Sequence, residues 1–186
     1  NRPWNQDFQG LPILAAGTTN WTSSGITTQQ PIVGDFDVRV EFDDVLLMTP
    51  QKGQGTAIFF QIDLSDAQQT QISAIFSLTD TGIYEFDSQL RTNDETGKPT
   101  YRNSGRRNTT SASSLRIARR GTVVTIVSQS SSTADARIIS EFEVGDAAVS
   151  GAKLLVHTGG PVGNSQVTLK KLDIRAAFYE PLFIIK

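Results

Sequence analysis

The side chains best equipped for chemistry are carboxylates spaced two apart in extended-looking segments. Glu41 and Asp43, Glu85 and Asp87, and Glu141 and Glu143 each stand at i and i+2, and a strand projects such positions from one face. Two carboxylates on one face are the minimum equipment of a glycosidase. Retaining enzymes hold the two about 5–5.5 Å apart and inverting ones about 6.5–9.5 Å. Each pair also lies opposite an apolar face, so the same spacing describes the wet side of a strand. The Glu85-Phe86-Asp87 pair is the most distinctive, because Tyr84 and Phe86 supply aromatic neighbours for a groove. The one histidine, His157, follows Leu154-Leu155-Val156 and precedes two glycines a residue later, which fits a loop mouth; a structural or merely exposed role is expected there, with a base as the alternative. There is no Gly-x-Ser-x-Gly elbow, phosphate loop or His-Glu-x-x-His motif, so nucleophilic catalysis has no visible machinery. Glu85, Asp87 and His157 are therefore the catalytic candidates, and the carboxylates are expected to be ordinary surface groups.

Binding chemistry is suggested by the run Arg102-Asn103-Ser104-Gly105-Arg106-Arg107, followed by Arg116, Arg119 and Arg120. Guanidinium groups recognise carboxylate or sulfate in bidentate fashion, although a solvated loop requires no partner at all. Trp4, Trp21, Tyr101 and Tyr179 are the aromatic residues that strand alternation leaves unexplained. Sugar rings stack on such faces, and edge packing is the alternative use. The candidate ligand-binding set is Trp21, Tyr101, Arg102, Arg106 and Arg107. Asp63, Asp66, Asp94 and Glu95 fall in loop-like stretches and offer oxygen ligands for calcium, without the spaced Asp-x-Asp-x-Asp loop of a dedicated site. No other cofactor is expected.

Composition narrows the field. The 186 residues contain no Cys and one His, which excludes a disulfide framework, a thiolate zinc site and a cysteine nucleophile. Seventeen Lys and Arg against 19 Asp and Glu give a net charge of −2, so nucleic acid is not an expected partner. No run approaches the roughly 18–20 apolar residues of a membrane span. The start, Asn1-Arg2-Pro3-Trp4, is neither an initiator Met nor a signal peptide, and suggests a segment of a longer chain. Richness in Ser, Thr, Gln and Asn with few Lys fits an extracellular, periplasmic or cell-surface location.

What must position these side chains is sheet. Ile, Val and Thr make up 47 residues, side chains that are stiff at χ1 and suit a pleated surface. Phe36, Val38, Val40 and Phe42 alternate with Asp37, Arg39, Glu41 and Asp43, which predicts a half-buried strand. Ile58, Phe60, Ile62 and Leu64 predict a second, and Phe59 on its other face predicts a central position. Ile72 to Leu78 and Tyr84 to Leu90, joined through Asp80-Thr81-Gly82, predict a hairpin. Residues 91 to 112 are polar and predict a long excursion holding one edge strand. Leu115, Ile117 and Ala118 run into Arg119-Arg120-Gly121-Thr122 and out through Val123 to Val127, a tight hairpin with Gly at positive φ. Further strands are predicted around Ile138 to Val144 and Leu154 to Val156. In the last long strand the apolar phase slips at Lys170-Lys171, the signature of a β-bulge. Ten to twelve short strands with no helical stripe indicate a two-sheet sandwich. Phe36, Val38, Val40, Phe42, Phe60, Phe76, Leu115, Ile117 and Phe142 are its predicted core. One domain over residues 1–177 is expected, followed by an apolar tail over 178–186. Pro181 should break that tail, leaving Leu182 to Ile185 to dock on the domain or to drive self-association.

Trp21, the strand Gly34-Asp35-Phe36-Asp37-Val38-Arg39-Val40, and the hairpin Leu115-Arg116-Ile117-Ala118-Arg119-Arg120-Gly121 together resemble the concanavalin A-like lectin and glucanase superfamily. The likeness extends over most of residues 8 to 177 and is nearest to laminin-G-like bacterial members of unknown function. It implies an all-β, two-sheet antiparallel jelly roll whose concave sheet forms a carbohydrate groove, in a larger exported bacterial protein. Glucanases of this superfamily carry a third acid, Glu-x-Asp-x-Glu or Glu-x-Asp-x-x-Glu, whereas Ser88, Gln89 and Leu90 follow Asp87 here. The related 3-keto-disaccharide hydrolases carry Asn-Ser-Gly-Ile where this chain has Gly55-Thr56-Ala57-Ile58. Both departures favour a noncatalytic carbohydrate-binding module over a glycoside hydrolase, with a structural spacer as the third reading.

Overall fold

A computed structural model describes residues 2–17, 22–28, 31–130, 136–159, 163–176 and 183–185. Thirteen strands follow in order: β1 (Arg2–Ala15), β2 (Thr22–Thr28), β3 (Phe36–Leu46), β4 (Thr56–Leu64), β5 (Gln71–Leu78), β6 (Tyr84–Asn93), β7 (Pro99–Thr109), β8 (Ser114–Arg120), β9 (Val123–Gln129), β10 (Ala136–Glu143), β11 (Val149–Thr158), β12 (Ser165–Ala176) and β13 (Phe183–Ile185). They form a six-stranded sheet, β1-β12-β3-β8-β9-β10, and a seven-stranded sheet, β13-β2-β11-β4-β5-β6-β7, with every pairing antiparallel. Among the described residues no helix is long and apolar enough to cross a membrane.

The alternating apolar residues meet between the sheets. All nine predicted core residues are buried, and they belong to one hydrophobic cluster with Ile58, Ile62, Ile72, Leu154, Val156 and Ile174. Strand β4 is the middle strand of its sheet, as its two-sided apolar pattern predicted. The β8–β9 connection is the two-residue turn Gly121-Thr122 with φ +58 at Gly121, and Asp35 Oδ1 accepts the Gly121 N–H at 2.8 Å. The phase slip at Lys170-Lys171 is a register shift in the β12–β3 ladder, between Leu169 and Lys171.

Two features differ from expectation, and a third refines it. The excursion over 91 to 112 is largely regular: β6 continues to Asn93, and β7 returns along it as the edge of the seven-stranded sheet. The one edge strand expected in this stretch is therefore present, and its polar side chains left only its bounds unmarked, because an edge strand with exposed faces has no apolar period to display. Strand β11 runs on through His157 to Thr158, so the histidine stands within a sheet and not at a loop mouth. Finally, β1 and β2 supply two strands before Phe36, where the apolar pattern predicts none.

One core position is cationic. Arg119 shares the inward phase of Leu115 and Ile117 and is 1% exposed. Its Nη1 donates to the Ala147 carbonyl at 2.5 Å and its Nη2 to the Gly34 carbonyl at 2.6 Å, while the guanidinium lies 5.1 Å from the Phe36 ring centre. Burial pulls its pKa below the ordinary arginine value, with Asp35 and Asp146 acting in the opposite sense. Arg119 therefore ties two loops at one end of the sandwich to its core.

Candidate functional site

The registers fix which side chains share the outer face of the seven-stranded sheet, the face turned away from the core. One row across the strands is Ser23, His157, Ala57, Ser77, Glu85 and Asn108. The next is Gly25, Leu155, Phe59, Ile75 and Asp87, and a third is Thr27, Lys153, Gln61, Ser73, Gln89 and Asn103. A fourth holds Asp63, Gln71, Arg91 and Tyr101. Leu155, Phe59 and Ile75 thus make an apolar strip three strands wide, bordered by amide, hydroxyl and charged groups. Ala57 and Ile75 are only 6% and 7% exposed although they lie outside the core cluster, which shows how closely the larger neighbours crowd this face.

At one end of the strip the acidic pair is not the free surface feature that its spacing suggested. The Glu85 and Asp87 side chains are 12% and 11% exposed, and both lie 3.4 Å from Arg106 Nε. Asp87 Oδ2 also accepts from Arg106 Nη2 at 3.4 Å, and Asp87 Oδ1 accepts the Ser88 N–H at 2.7 Å. A β-bulge in β7 makes this contact. Phe86 pairs with Arg107 and Ser88 with Ser104, so two residues, Gly105 and Arg106, stand opposite Asp87. Gly105 takes φ +80, and a Cβ there would run into the Ile139 carbonyl of β10 in the other sheet. The extra residue reverses the facing of β7. Tyr101 and Asn103 lie on the outer face before the bulge, and Arg106 and Asn108 lie there after it.

His157 occupies the other side of the face. Its ring meets Phe59 edge-on, with centroids 4.6 Å apart, and burial lowers its pKa below the usual histidine value. Three strand spacings separate it from Glu85 in the same row, roughly 14 Å at about 4.8 Å per strand, so the two do not form an acid–base pair. Between these two rows and the fourth, Lys153 pairs with Asp63, and Gln61 Nε2 donates to Asp63 Oδ1 at 2.6 Å.

The fold disperses the arginine-rich run. Arg106 joins the acidic pair, whereas Arg102 turns toward the other sheet and lies 4.9 Å from the Phe142 ring centre. Arg107 lines a cavity between the two sheet edges. Arg116 makes a bidentate pair with Asp37 on the outer face of the six-stranded sheet, which raises its pKa, and Arg120 donates to backbone carbonyls. Tyr101 is exposed in the fourth row. Trp21 and Tyr179 lie outside the described residues, as does the side chain of Trp4. The other carboxylate pairs, Glu41 with Asp43 and Glu141 with Glu143, lie on the six-stranded sheet. Among the described residues no three His, Asp or Glu side chains gather as a metal site. Asp94 Oδ1 is already occupied by the Thr96 hydroxyl and the Thr96 and Lys98 N–H groups of its own turn, and these contacts lower its pKa. Phe59, Gln61, Ile75 and Gln89 share this face and fall outside the set expected from sequence. Their signal was present in the second, outward phase of strands whose inward phase had already been used to define the core.

Comparison with known proteins places this architecture. A legume lectin-like domain from Entamoeba histolytica superposes with a TM-score of 0.59 at 13% identity, covering 95% of this chain and 90% of that one. The CBM2 module of the evolved Dit of Lactobacillus casei BL23 phage J-1 gives 0.51 at 9% identity, covering 90% and 78%. The metal-free lectin I-B4 from Griffonia simplicifolia gives 0.50 at 9% identity, covering 96% and 100%. At these identities the likeness is one of fold, and the fold is a concanavalin A-like, legume-lectin-like jelly-roll sandwich. No curated protein is similar enough in sequence to count as a match. Residues 2–178 match the family described as "Protein of unknown function (DUF1583) C domain", and the chain belongs to that family.

Proposed function

We propose that this chain is a noncatalytic carbohydrate-binding module of an exported bacterial protein, and that it binds its saccharide on the outer face of the seven-stranded sheet. The observation that carries this reading is the strip of Leu155, Phe59 and Ile75 between rows of polar side chains. A sugar ring offers C–H groups on its faces and hydroxyls on its rim. An apolar platform bordered by Gln61, Gln89, Asn103 and the Glu85–Asp87–Arg106 cluster complements both. Lectin-like neighbours in fold support the saccharide class.

Hydrolysis fits less well. A glycosidase needs one carboxyl as an acid and another as a nucleophile or base. Here both members of the candidate pair share a single guanidinium, and the roughly 14 Å between His157 and Glu85 leaves neither with a partner base. A glycan array probed with the domain, run beside a panel of chromogenic glycosides, separates the readings. Binding without turnover, lost in Phe59→Ala and Gln61→Ala, is the expected result. Turnover abolished by Glu85→Gln would establish the hydrolase instead, and silence in both assays would leave the spacer reading.

A further inference from the structure

Arg107 and Arg137 line one cavity of about 220 Å³ at the open edge of the sandwich, between β7 of the seven-stranded sheet and β10 of the other. From this we infer that the chain holds a second ligand site, which takes the carboxylate or sulfate of an acidic sugar. Among the described residues no carboxylate lines the cavity, and neither guanidinium has a hydrogen-bond or ion-pair partner. This contrasts with Arg39, Arg106, Arg116 and Arg119, each of which is engaged. Two like charges facing one cavity repel each other unless an anion lies between them, and a planar guanidinium pair matches an oxyanion with three or more acceptor oxygens or a bidentate carboxylate.

The site is built by the same bulge that builds the acidic cluster. Gly105 brings β7 against Ile139 of β10, closing the sheet edges together at that point. The extra residue then sends Arg106 to the outer face and Arg107, opposite Phe86, toward the gap. Phe86 and Ile139 are buried and form an apolar wall, whereas Thr109 and Ser128 add hydroxyl groups. Drug-sized ligands occupy roughly 300–1,000 Å³, so this smaller cavity suits a single ring. A charged head, hydroxyls and a hydrocarbon face are what one acidic monosaccharide presents. The inference does not rest on the proposal for the outer face, since the two sites share no side chain.

Calorimetric titrations at low salt with D-glucuronate, D-glucose 6-sulfate, inorganic sulfate and D-glucose test it. The wild type is expected to bind both acidic sugars, and Arg107→Gln and Arg137→Gln each to weaken them at least tenfold. Both substitutions are at exposed positions, and unchanged melting temperatures show that they fold. Arg106→Gln, on the other face, should leave acidic-sugar binding intact. Failure of the wild type to bind either acidic sugar overturns the inference. So does binding of inorganic sulfate alone, or acidic-sugar binding that survives both substitutions. Neutral oligosaccharide binding lost in Gln61→Ala but kept in Arg107→Gln reads the outer face separately, so each site can fail alone.

Discussion

Arg119 shows how a charge can be a core residue. Its guanidinium holds the Ala147 and Gly34 carbonyls from inside the sandwich, so Arg119→Ala removes two charge-assisted hydrogen bonds and opens a void. A loss of about 3 kcal/mol is expected in urea unfolding. Arg119→Lys should fall between, because one ammonium cannot reproduce the planar fork. A second prediction concerns His157. Burial lowers its folded pKa, so as pH falls the unfolded chain takes up the proton first. The stability is fully present above the unfolded value of about 6.5 and is lost progressively as pH drops through it. Since the chain has one histidine, an NMR titration follows a single imidazole, and its midpoint should lie below about 6.5. His157→Gln should flatten the stability profile between pH 7 and 5. At Glu85, the neighbouring Arg106 is 65% exposed, so water screens the contact and Glu85→Gln should change stability by less than about 1 kcal/mol.

The β7 bulge is the element that builds both the acidic cluster and the proposed edge site. Gly105→Ala places a methyl group against the Ile139 carbonyl at a backbone φ of +80, and αL strain alone costs about 1–2 kcal/mol. A loss of at least 2 kcal/mol is expected by thermal or urea unfolding, and the surviving folded fraction should have weaker acidic-sugar binding. An unchanged melting temperature would show that β7 does not close on β10 as described. The bulge in β12 was legible because apolar residues on both sides record the phase slip: Val167 and Leu169 before it, Leu172 and Ile174 after. The β7 bulge was not legible, since its flanking residues are polar and exposed and no hydrophobic phase exists to slip. For a related reason β1 shows no continuous alternation. Gln9 at φ +51 and Gly10 at φ +82 interrupt its register against β12 between Asp7 and Leu11, so its alternation restarts midway. At the opposite rim, β13 pairs with β2 through Thr28, Thr27 and Ile26. Deleting residues 183–186 would free that edge of β2, and a lower melting temperature or concentration-dependent association in light scattering is expected.

For the whole molecule, the core was readable from the inward phase of most strands from β3 onward, because burial of large apolar side chains imposes a period of two. The candidate site was readable only in part. The sequence brought Glu85 and Asp87 together, but the third member, Arg106, is aimed at them by a bulge that only the tertiary register reveals. On the proposed reading the outer face of the seven-stranded sheet receives a saccharide. The most direct measurement is a two-dimensional NMR titration of the 15N-labelled chain with an oligosaccharide selected on a glycan array. Amide shifts gathered on Phe59, Gln61, Ile75, Gln89 and Leu155, with the six-stranded sheet unmoved, are the predicted result. Shifts centred on the outer face of β3 and β8, or none with any saccharide, would contradict it.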